Sequence, residues 1–136
     1  MACLDTSAIL DLGGRGGRRL KRRIQDKLLD AARRGERLDT TRFTLAELYV
    51  GIYRSKRPQD EQKRIADLLE DFEVLEFVPA AARLFGELTA ALWGIGRPIG
   101  DMDALIAATP MAAGERLITR DLAHFSAVSG LRVEEY

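Results

Sequence analysis

The sequence predicts an α/β domain with a mainly parallel central sheet. Short apolar runs of strand length alternate along the chain with longer stretches in which apolar residues recur every three or four positions. The chain of 136 residues has the usual length of one domain, and 46% apolar with 31% charged residues is an ordinary globular composition. Because strands separated by helices favour parallel pairing, we expect a single domain over residues 1–136.

The first half of the chain predicts two strands and three helices. Residues 1–5 form a short apolar strand ended by Asp-Thr-Ser, a good helix start, and residues 17–34 form an amphipathic helix with an arginine-rich outer face. Residues 38–42 are a threonine-rich strand, and residues 44–53 a helix with Leu, Tyr and Ile on one side. Pro58 begins the third helix, because proline suits the first helical position.

The second half supplies three more strands and three helical segments. The predicted elements are a strand at 74–78, a helix around 84–92, an alanine-rich helix at 101–113, a strand at 116–120, a helical turn at 122–125 and a strand at 131–135. Pro79 should end the first of these strands. Pro110 should kink or shorten the alanine-rich helix, because proline removes a backbone hydrogen bond.

The formal net charge of zero conceals an uneven distribution of charge. Residues 13–37 contain ten Lys and Arg against three Asp and Glu, whereas residues 60–136 contain seven against fourteen. A basic segment beside an acidic body suits a protein that binds a polyanion with one part and a cation with the other. A solvated helix face explains the same charges without a ligand, so charge alone leaves both interpretations open.

Five carboxylates are predicted to meet at the carboxyl edge of the sheet, where open parallel sheets bind ligands. They are Asp5, Glu47, Asp101, Asp103 and Asp121. Each also has a local explanation, since Thr44 to Glu47 matches a capping box and the aspartates suit helix starts, with Asp101 a natural N-cap. Together, however, they would repel one another unless a cation lies among them, and oxygen ligands suit Mg²⁺ or Mn²⁺.

Other catalytic chemistries are poorly supported. The single cysteine, Cys3, excludes an internal disulfide and is expected in the core, which fits a reducing cytoplasm. The single histidine, His124, excludes a zinc site of several histidines and is expected to be a cap or a residue at the core edge. Trp93 is expected in the core. No P-loop, G-x-S-x-G elbow, signal peptide or membrane span is present, so an enzyme here would rely on a metal ion.

Four blocks of sequence carry a resemblance to a known family. They are Leu4-Asp5-Thr6-Ser7-Ala8, Leu45-Ala46-Glu47-Leu48, residues 99–108 around Asp101-Met102-Asp103-Ala104, and Leu117-Ile118-Thr119-Arg120-Asp121 with His124-Phe125 following. Their order and spacing resemble the PIN-domain family, specifically the VapC-type toxins of prokaryotic toxin–antitoxin pairs, over about residues 2–136. The resemblance implies a three-layer α/β/α sandwich and a magnesium-dependent endoribonuclease, with Mn²⁺ as a substitute.

The resemblance also assigns roles to residues. The acidic residues that would bind the metal and form the catalytic site are Asp5, Glu47, Asp103 and Asp121. Asp103 is preferred over Asp101 because it directly precedes Ala-Leu-Ile-Ala-Ala. Asp101 is then a cap or an outer carboxylate, and Thr119 would orient the site by hydrogen bonding. The insertion at 13–19 and Pro110 depart from the family's pattern.

The partners implied are an RNA substrate, a VapB-type antitoxin and a second copy of the chain. The arginines expected to contact the RNA backbone are Arg15, Arg18, Arg19 and Arg22. The antitoxin would cover an apolar surface on residues 45–53 and 65–72, where Tyr49, Tyr53 and Phe72 would be partly exposed, and would place an arginine at Asp5 or Asp103. The same apolar residues would equally suit the core or a homodimer contact.

Two other functions stay open. One is a PIN-like scaffold that binds RNA or protein and cuts nothing, although the intact acidic set favours cleavage. The other is a metal-dependent nuclease or phosphatase for DNA or small phosphoesters, since a carboxylate–magnesium site does not itself recognise the 2′-hydroxyl. Metal-dependent cleavage distinguishes the scaffold from an enzyme, whereas the sequence does not exclude the second alternative.

Overall fold

A five-stranded sheet lies between two layers of helices in the computed structural model, which describes residues 1–136. The strands are β1 (Ala2–Leu4), β2 (Leu38–Thr41), β3 (Glu73–Leu75), β4 (Arg116–Ile118) and β5 (Val133–Glu134). The helices are α1 (Thr6–Leu12), α2 (Arg18–Arg33), α3 (Arg42–Arg54), α4 (Pro58–Leu68), α5 (Pro79–Gly94), α6 (Asp101–Ala112) and α7 (Leu122–Phe125). No helix combines the length and the apolar composition needed to cross a membrane.

All neighbouring strands of the sheet are parallel, in the order β3-β2-β1-β4-β5. In the central strand, Leu4 is in register with Thr40 of β2 and Ile118 of β4. The residues that follow these strands therefore emerge at one edge, the carboxyl edge. The predicted α/β fold with a parallel sheet is confirmed.

The sheet separates two apolar cores, because side chains alternate along β1. Ala2 and Leu4 pack with residues of α1 to α4, whereas Cys3 packs with residues of α5 to α7. This arrangement confirms the three-layer α/β/α sandwich and the core position of Cys3. Burial raises the pKa of the Cys3 thiol. The core position predicted for Trp93 is wrong: its side chain is 72% exposed near the end of α5.

Helix α3 begins two residues earlier than predicted. Thr41, the last residue of β2, is the N-cap, and its Oγ1 accepts a hydrogen bond from the Thr44 backbone N–H at 2.9 Å. The capping box proposed between Thr44 and Glu47 is therefore wrong, and Glu47 lies in the second turn. A strand that ends on a threonine can pass directly into a helix, because that side chain satisfies a free N–H group.

The boundaries of α6 also differ from the prediction in detail. Gly100 is the N-cap and Asp101 is the first helical residue, so the cap predicted for Asp101 is wrong. The helix runs through Pro110 and ends two residues later, which confines the lost hydrogen bond to the last turn. Strands β3, β4 and β5 are shorter than predicted, and the residues after β4 form a turn at the carboxyl edge instead.

A buried ionic cluster lies toward the opposite edge of the sheet. Arg37 contacts Asp39 at 2.8 Å and Glu115 at 3.0 Å, and both carboxylates are buried. Glu115 Oε2 has no hydrogen-bond partner. Burial, followed by hydrogen bonding with Asp39 and by the charge of Asp39, raises the pKa of Glu115 to about 7. Glu115 is therefore stabilised in its protonated form beside the Asp39 carboxylate.

Stability is expected to fall as pH rises because of Glu115. Its pKa is about 7 in the folded chain against 4.5 for an ordinary glutamate, so its contribution is complete below pH 4.5 and lost by about pH 7. We expect a loss of about 3 kcal/mol in the free energy of unfolding. In urea titrations, Glu115→Gln should flatten this slope, whereas Glu70→Gln, at an exposed glutamate, should not. An unchanged slope in Glu115→Gln would contradict the assignment.

Candidate active site at the carboxyl edge of the sheet

Asp5 lies at the centre of the carboxyl edge and is 4% exposed. It follows β1 and is the N-cap of α1, where Oδ1 accepts hydrogen bonds from the Ala8 N–H at 2.9 Å and the Ser7 hydroxyl at 2.7 Å. Burial raises the pKa of Asp5, hydrogen bonds from Thr119, Ala8 and Ser7 act against it, and the charge of Asp103 raises it further. Two carboxylates are therefore close enough to repel each other.

Thr119 connects the Asp5 side chain to the backbone of Asp121. Its side chain is buried at the end of β4, and its hydroxyl donates to Asp5 Oδ2. The Thr119 hydroxyl oxygen in turn accepts a hydrogen bond from the backbone N–H of Asp121 at 2.9 Å. One buried hydroxyl thus fixes both the orientation of Asp5 and the start of α7.

Asp103, Asp121 and His124 form a group whose candidate ligand atoms all lie within 4.8 Å of one another. The imidazole Nδ1 is 2.9 Å from Asp121 Oδ2 and 3.2 Å from Asp103 Oδ2. Asp103 is in the first turn of α6, and Asp121 is the N-cap of α7. Two half-exposed carboxylates and an imidazole that share one space are a suitable set of ligands for a divalent cation.

His124 is the residue whose position the sequence analysis missed. It was expected to be a cap or to lie at the core edge, but it is exposed and faces the two carboxylates. The spacing of three residues between Asp121 and His124 in a predicted helical turn is the signal that would have placed them on one face. The contact with Asp103 has no such local signal.

Glu47 approaches the site from α3. Its Oε1 accepts a hydrogen bond from the Thr6 hydroxyl at 2.6 Å, and Thr6 directly follows Asp5. Glu47 is not part of the group around His124. Asp101 is exposed at the start of α6, and its carboxylate makes no hydrogen bond or ion pair.

The basic segment begins beside this edge. Arg15 lines a small groove together with Thr6 and Glu47. The other three predicted contacts are exposed at the start of α2 and form no ion pairs: Arg18, Arg19 and Arg22. Of these four arginines, Arg15 is the one that lies beside a carboxylate of the site.

Asp103, Asp121 and His124 form the candidate set of ligands for a divalent cation at this edge. The charge of Asp103 acts on Asp5, and the Thr119 hydroxyl links Asp5 to the backbone of Asp121. The candidate ligand atoms are carboxylate oxygens and one imidazole nitrogen. Such a donor set suits Mg²⁺ or Mn²⁺, which prefer carboxylates. A cation would also offset the repulsion among these groups.

An apolar groove of about 190 Å³ lies between α3 and α4, as predicted for the apolar surface. Its main lining residues are Leu45, Leu48, Tyr49, Ile52, Ile65, Ala66, Leu69 and Phe72. Tyr49 and Tyr53 stack with ring centroids 6.1 Å apart and are 43% and 68% exposed. Exposed paired aromatic rings next to a groove are typical of binding surfaces.

Comparisons of sequence agree with this architecture. A model of the PIN domain matches residues 2–131. Ribonuclease VapC2 of Haemophilus influenzae is 32% identical over 117 residues, which cover 86% of this chain and 89% of that protein. The tRNA(fMet)-specific endonuclease VapC of Shigella flexneri is 33% identical over 93 residues, covering 68% of this chain and 70% of that protein.

Comparisons of structure give the same fold. The crystal structure of VapBC2 from Rickettsia felis bound to a promoter DNA fragment matches with a TM-score of 0.89 and 24% identity, covering 99% of this chain and 98% of that one. The structure of DNA-bound VapBC from Salmonella typhimurium matches with a TM-score of 0.83 and 25% identity, covering 98% and 96%.

Proposed function

The chain belongs to the PIN-domain family, and from this premise we propose that it is the magnesium-dependent endoribonuclease toxin of a VapBC-type toxin–antitoxin pair. The observation that carries the proposal is the convergence of Asp5, Asp103 and Asp121 at the carboxyl edge of the sheet. The names of similar proteins, which are ribonucleases and a tRNA-specific endonuclease, support RNA as the substrate class.

We propose that Asp5, Asp103, Asp121 and Glu47 hold the metal ion. When bound, Mg²⁺ or Mn²⁺ would lower the pKa of a coordinated water and stabilise charge on the scissile phosphate. Thr119 orients Asp5 and Asp121, and the Thr6 hydroxyl orients Glu47. His124 Nδ1 lies within hydrogen-bond distance of Asp103 and Asp121 and keeps both carboxylates directed at the same space.

The basic segment is proposed to hold the RNA backbone. Arg15 borders the groove beside Glu47, and the arginines at the start of α2 are exposed without ion-pair partners. Phosphate contacts of this kind position a substrate and do not specify its sequence. The salt dependence of RNA binding tests the assignment, because each lost contact with a single strand lowers the slope by about 0.7.

A VapB-type antitoxin is the proposed regulator. Similar chains have been solved in VapBC complexes, and one of these complexes is described as a toxin–antitoxin system. We propose that the antitoxin occupies the groove between α3 and α4 and that one of its arginines reaches Asp5 or Asp103 through a charge-assisted bond. A second copy of the chain is the competing occupant, and a homodimer is the proposed oligomeric state. Sedimentation of the chain with and without antitoxin distinguishes the two occupants.

Metal-dependent cleavage is the direct test of the proposed function. The purified chain should cleave single-stranded or structured RNA in Mg²⁺ or Mn²⁺, and an excess of EDTA should abolish cleavage. A DNA of the same sequence and p-nitrophenyl phosphate serve as competing substrates. Full activity in EDTA would contradict the metal assignment, binding of RNA without cleavage would indicate a scaffold, and turnover of the competing substrates alone would indicate another phosphoesterase.

A further inference from the structure

We propose that Arg120 binds a phosphate of the RNA beside the carboxylate site and that the buried Asp11 positions its guanidinium. The inference rests on the proposed function, because it assumes an RNA substrate. It assigns roles to two residues outside the acidic set, and these residues are 109 positions apart in the chain.

Asp11 is a buried carboxylate that no local interaction explains. It lies in α1 and is 1% exposed. Its Oδ2 accepts a hydrogen bond from the Tyr136 hydroxyl at 2.6 Å and is 3.4 Å from Arg120 Nε, while Oδ1 has no partner. A Cβ added to Gly16 would lie 2.1 Å from Oδ1, so the glycine-rich loop covers the carboxylate closely. A buried carboxylate is unfavourable unless a cation pairs with it, and Arg120 is the only cation in contact.

The Tyr136 hydroxyl donates a hydrogen bond to the Asp11 carboxylate but brings no positive charge to it. Burial, followed by the hydrogen bond to Asp11 and the charge of Asp11, raises the pKa of the Tyr136 phenol, which therefore stays a neutral donor. Asp11 thereby joins the Tyr136 hydroxyl to Arg120, which lies between Thr119 and Asp121 in the chain. The ion pair with Arg120 is thus part of the support of the carboxyl edge.

Arg120 stands between two residues of the site. Thr119 before it hydrogen-bonds Asp5, Asp121 after it belongs to the group around His124, and its own backbone N–H donates to the Ser7 hydroxyl at 3.2 Å. Its side chain is 48% exposed, and Asp11 is its only side-chain partner. Nε lies 3.4 Å from Asp11 Oδ2, and the outer N–H groups of the guanidinium have no partner in the protein.

This geometry suits a phosphate. The outer edge of a guanidinium presents two parallel donors that match two phosphate oxygens, and an arginine held at Nε loses less conformational freedom on binding. Carboxylates that repel RNA line most of this edge, so a cation fixed next to them by Asp11 supplies attraction in addition to that of Arg15. The exposed arginines at the start of α2 are not fixed in this way, because they have no buried carboxylate as a partner.

The test measures binding of a fluorescein-labelled single-stranded RNA in EDTA, with Arg83→Ala on the exposed face of α5 as the matched control. We expect Arg120→Ala to weaken binding about tenfold or more and to lower the salt slope by about 0.7. Arg83→Ala should match the wild-type chain. In cleavage assays with Mg²⁺, Arg120→Ala should raise KM more than it lowers kcat, since the lost contact positions the substrate.

Asp11 is tested by a double-mutant cycle, with thermal unfolding as a check on folding. Asp11→Asn should weaken RNA binding and lower the salt slope, and adding it to Arg120→Ala should weaken binding no further. This inference alone would be overturned if the losses of RNA affinity in the two single variants added in the double variant. It would also be overturned if Arg120→Ala bound RNA as well as Arg83→Ala while the wild type cleaved RNA. A wild-type chain that neither binds nor cleaves RNA would overturn the proposed function together with it.

Discussion

Replacing Asp103 by asparagine is expected to lower the rate of RNA cleavage at least about a hundredfold. Asparagine keeps the shape of the side chain but removes the charge of a carboxylate that shares one space with Asp121 and His124. The initial rate at saturating Mg²⁺ is the measurement. Asp101→Asn, in the same helical turn but without any hydrogen bond or ion pair, should lose less than about tenfold.

The folded structure should tolerate this substitution. Gly100, not Asp103, is the N-cap of α6, and the charge of Asp103 raises the pKa of Asp5, so removing that charge relieves repulsion. The unfolding temperature without metal should therefore stay equal or rise. Asp5→Asn should be as inactive, because Asn still caps α1 but supplies no charge. Equal losses in Asp101→Asn and Asp103→Asn would mean that the site is wrongly placed.

The fold and the acidic positions could be predicted because they depend on local patterns. A short apolar run followed by Asp-Thr-Ser marks both the end of β1 and the position of Asp5, and parallel pairing then brings the ends of β1, β2 and β4 to one edge. The sequence predicts the start of α3 less well, since Thr41 and Thr44 are both suitable N-caps near the beginning of the helical pattern. The hydrogen bond between Thr6 and Glu47 joins residues 41 positions apart, and the local sequence pattern does not predict such a tertiary contact.

The residues that the sequence did not predict depend on contacts between distant segments. Asp11 and Arg120 meet only after α1 and the segment beyond β4 are both in place, and the sequence block that contains Arg120 does not indicate its contact with Asp11. Trp93 lies in an apolar helix, where periodicity favours burial, yet it projects from the end of α5. Hydrophobic spacing predicts which helix packs on the sheet, but it does not predict which side chains at its ends remain uncovered.

Helix α3 connects the apolar groove to the carboxylate site. Glu47 accepts a hydrogen bond from Thr6 at the site, while the next residues, Leu48 and Tyr49, line the groove. A protein segment that fills the groove would therefore lie next to the carboxylates. This proximity explains how one partner could both anchor itself on apolar contacts and block access of RNA.

The substitution Ala66→Arg is expected to release the chain from the proposed antitoxin. Ala66 is exposed on α4 and lines the groove, so Ala66→Arg places a charge at its opening without altering the core. Affinity for the proposed VapB-type antitoxin should fall at least about a hundredfold, because a partner would have to bury an unpaired charge against apolar contacts. RNA cleavage by the chain alone should not change.

The measurement combines the Kd for the neighbouring protein with the residual cleavage rate of the mixture. Ala90→Arg, at an exposed alanine of α5 away from the groove, is the matched control and should bind and be inhibited like the wild type. If the groove holds the antitoxin, Ala66→Arg cleaves RNA in the mixture at a concentration of partner that silences Ala90→Arg. Inhibition that is equal in the two variants would place the antitoxin on another surface, and a neighbour that binds both without suppressing cleavage would contradict masking altogether.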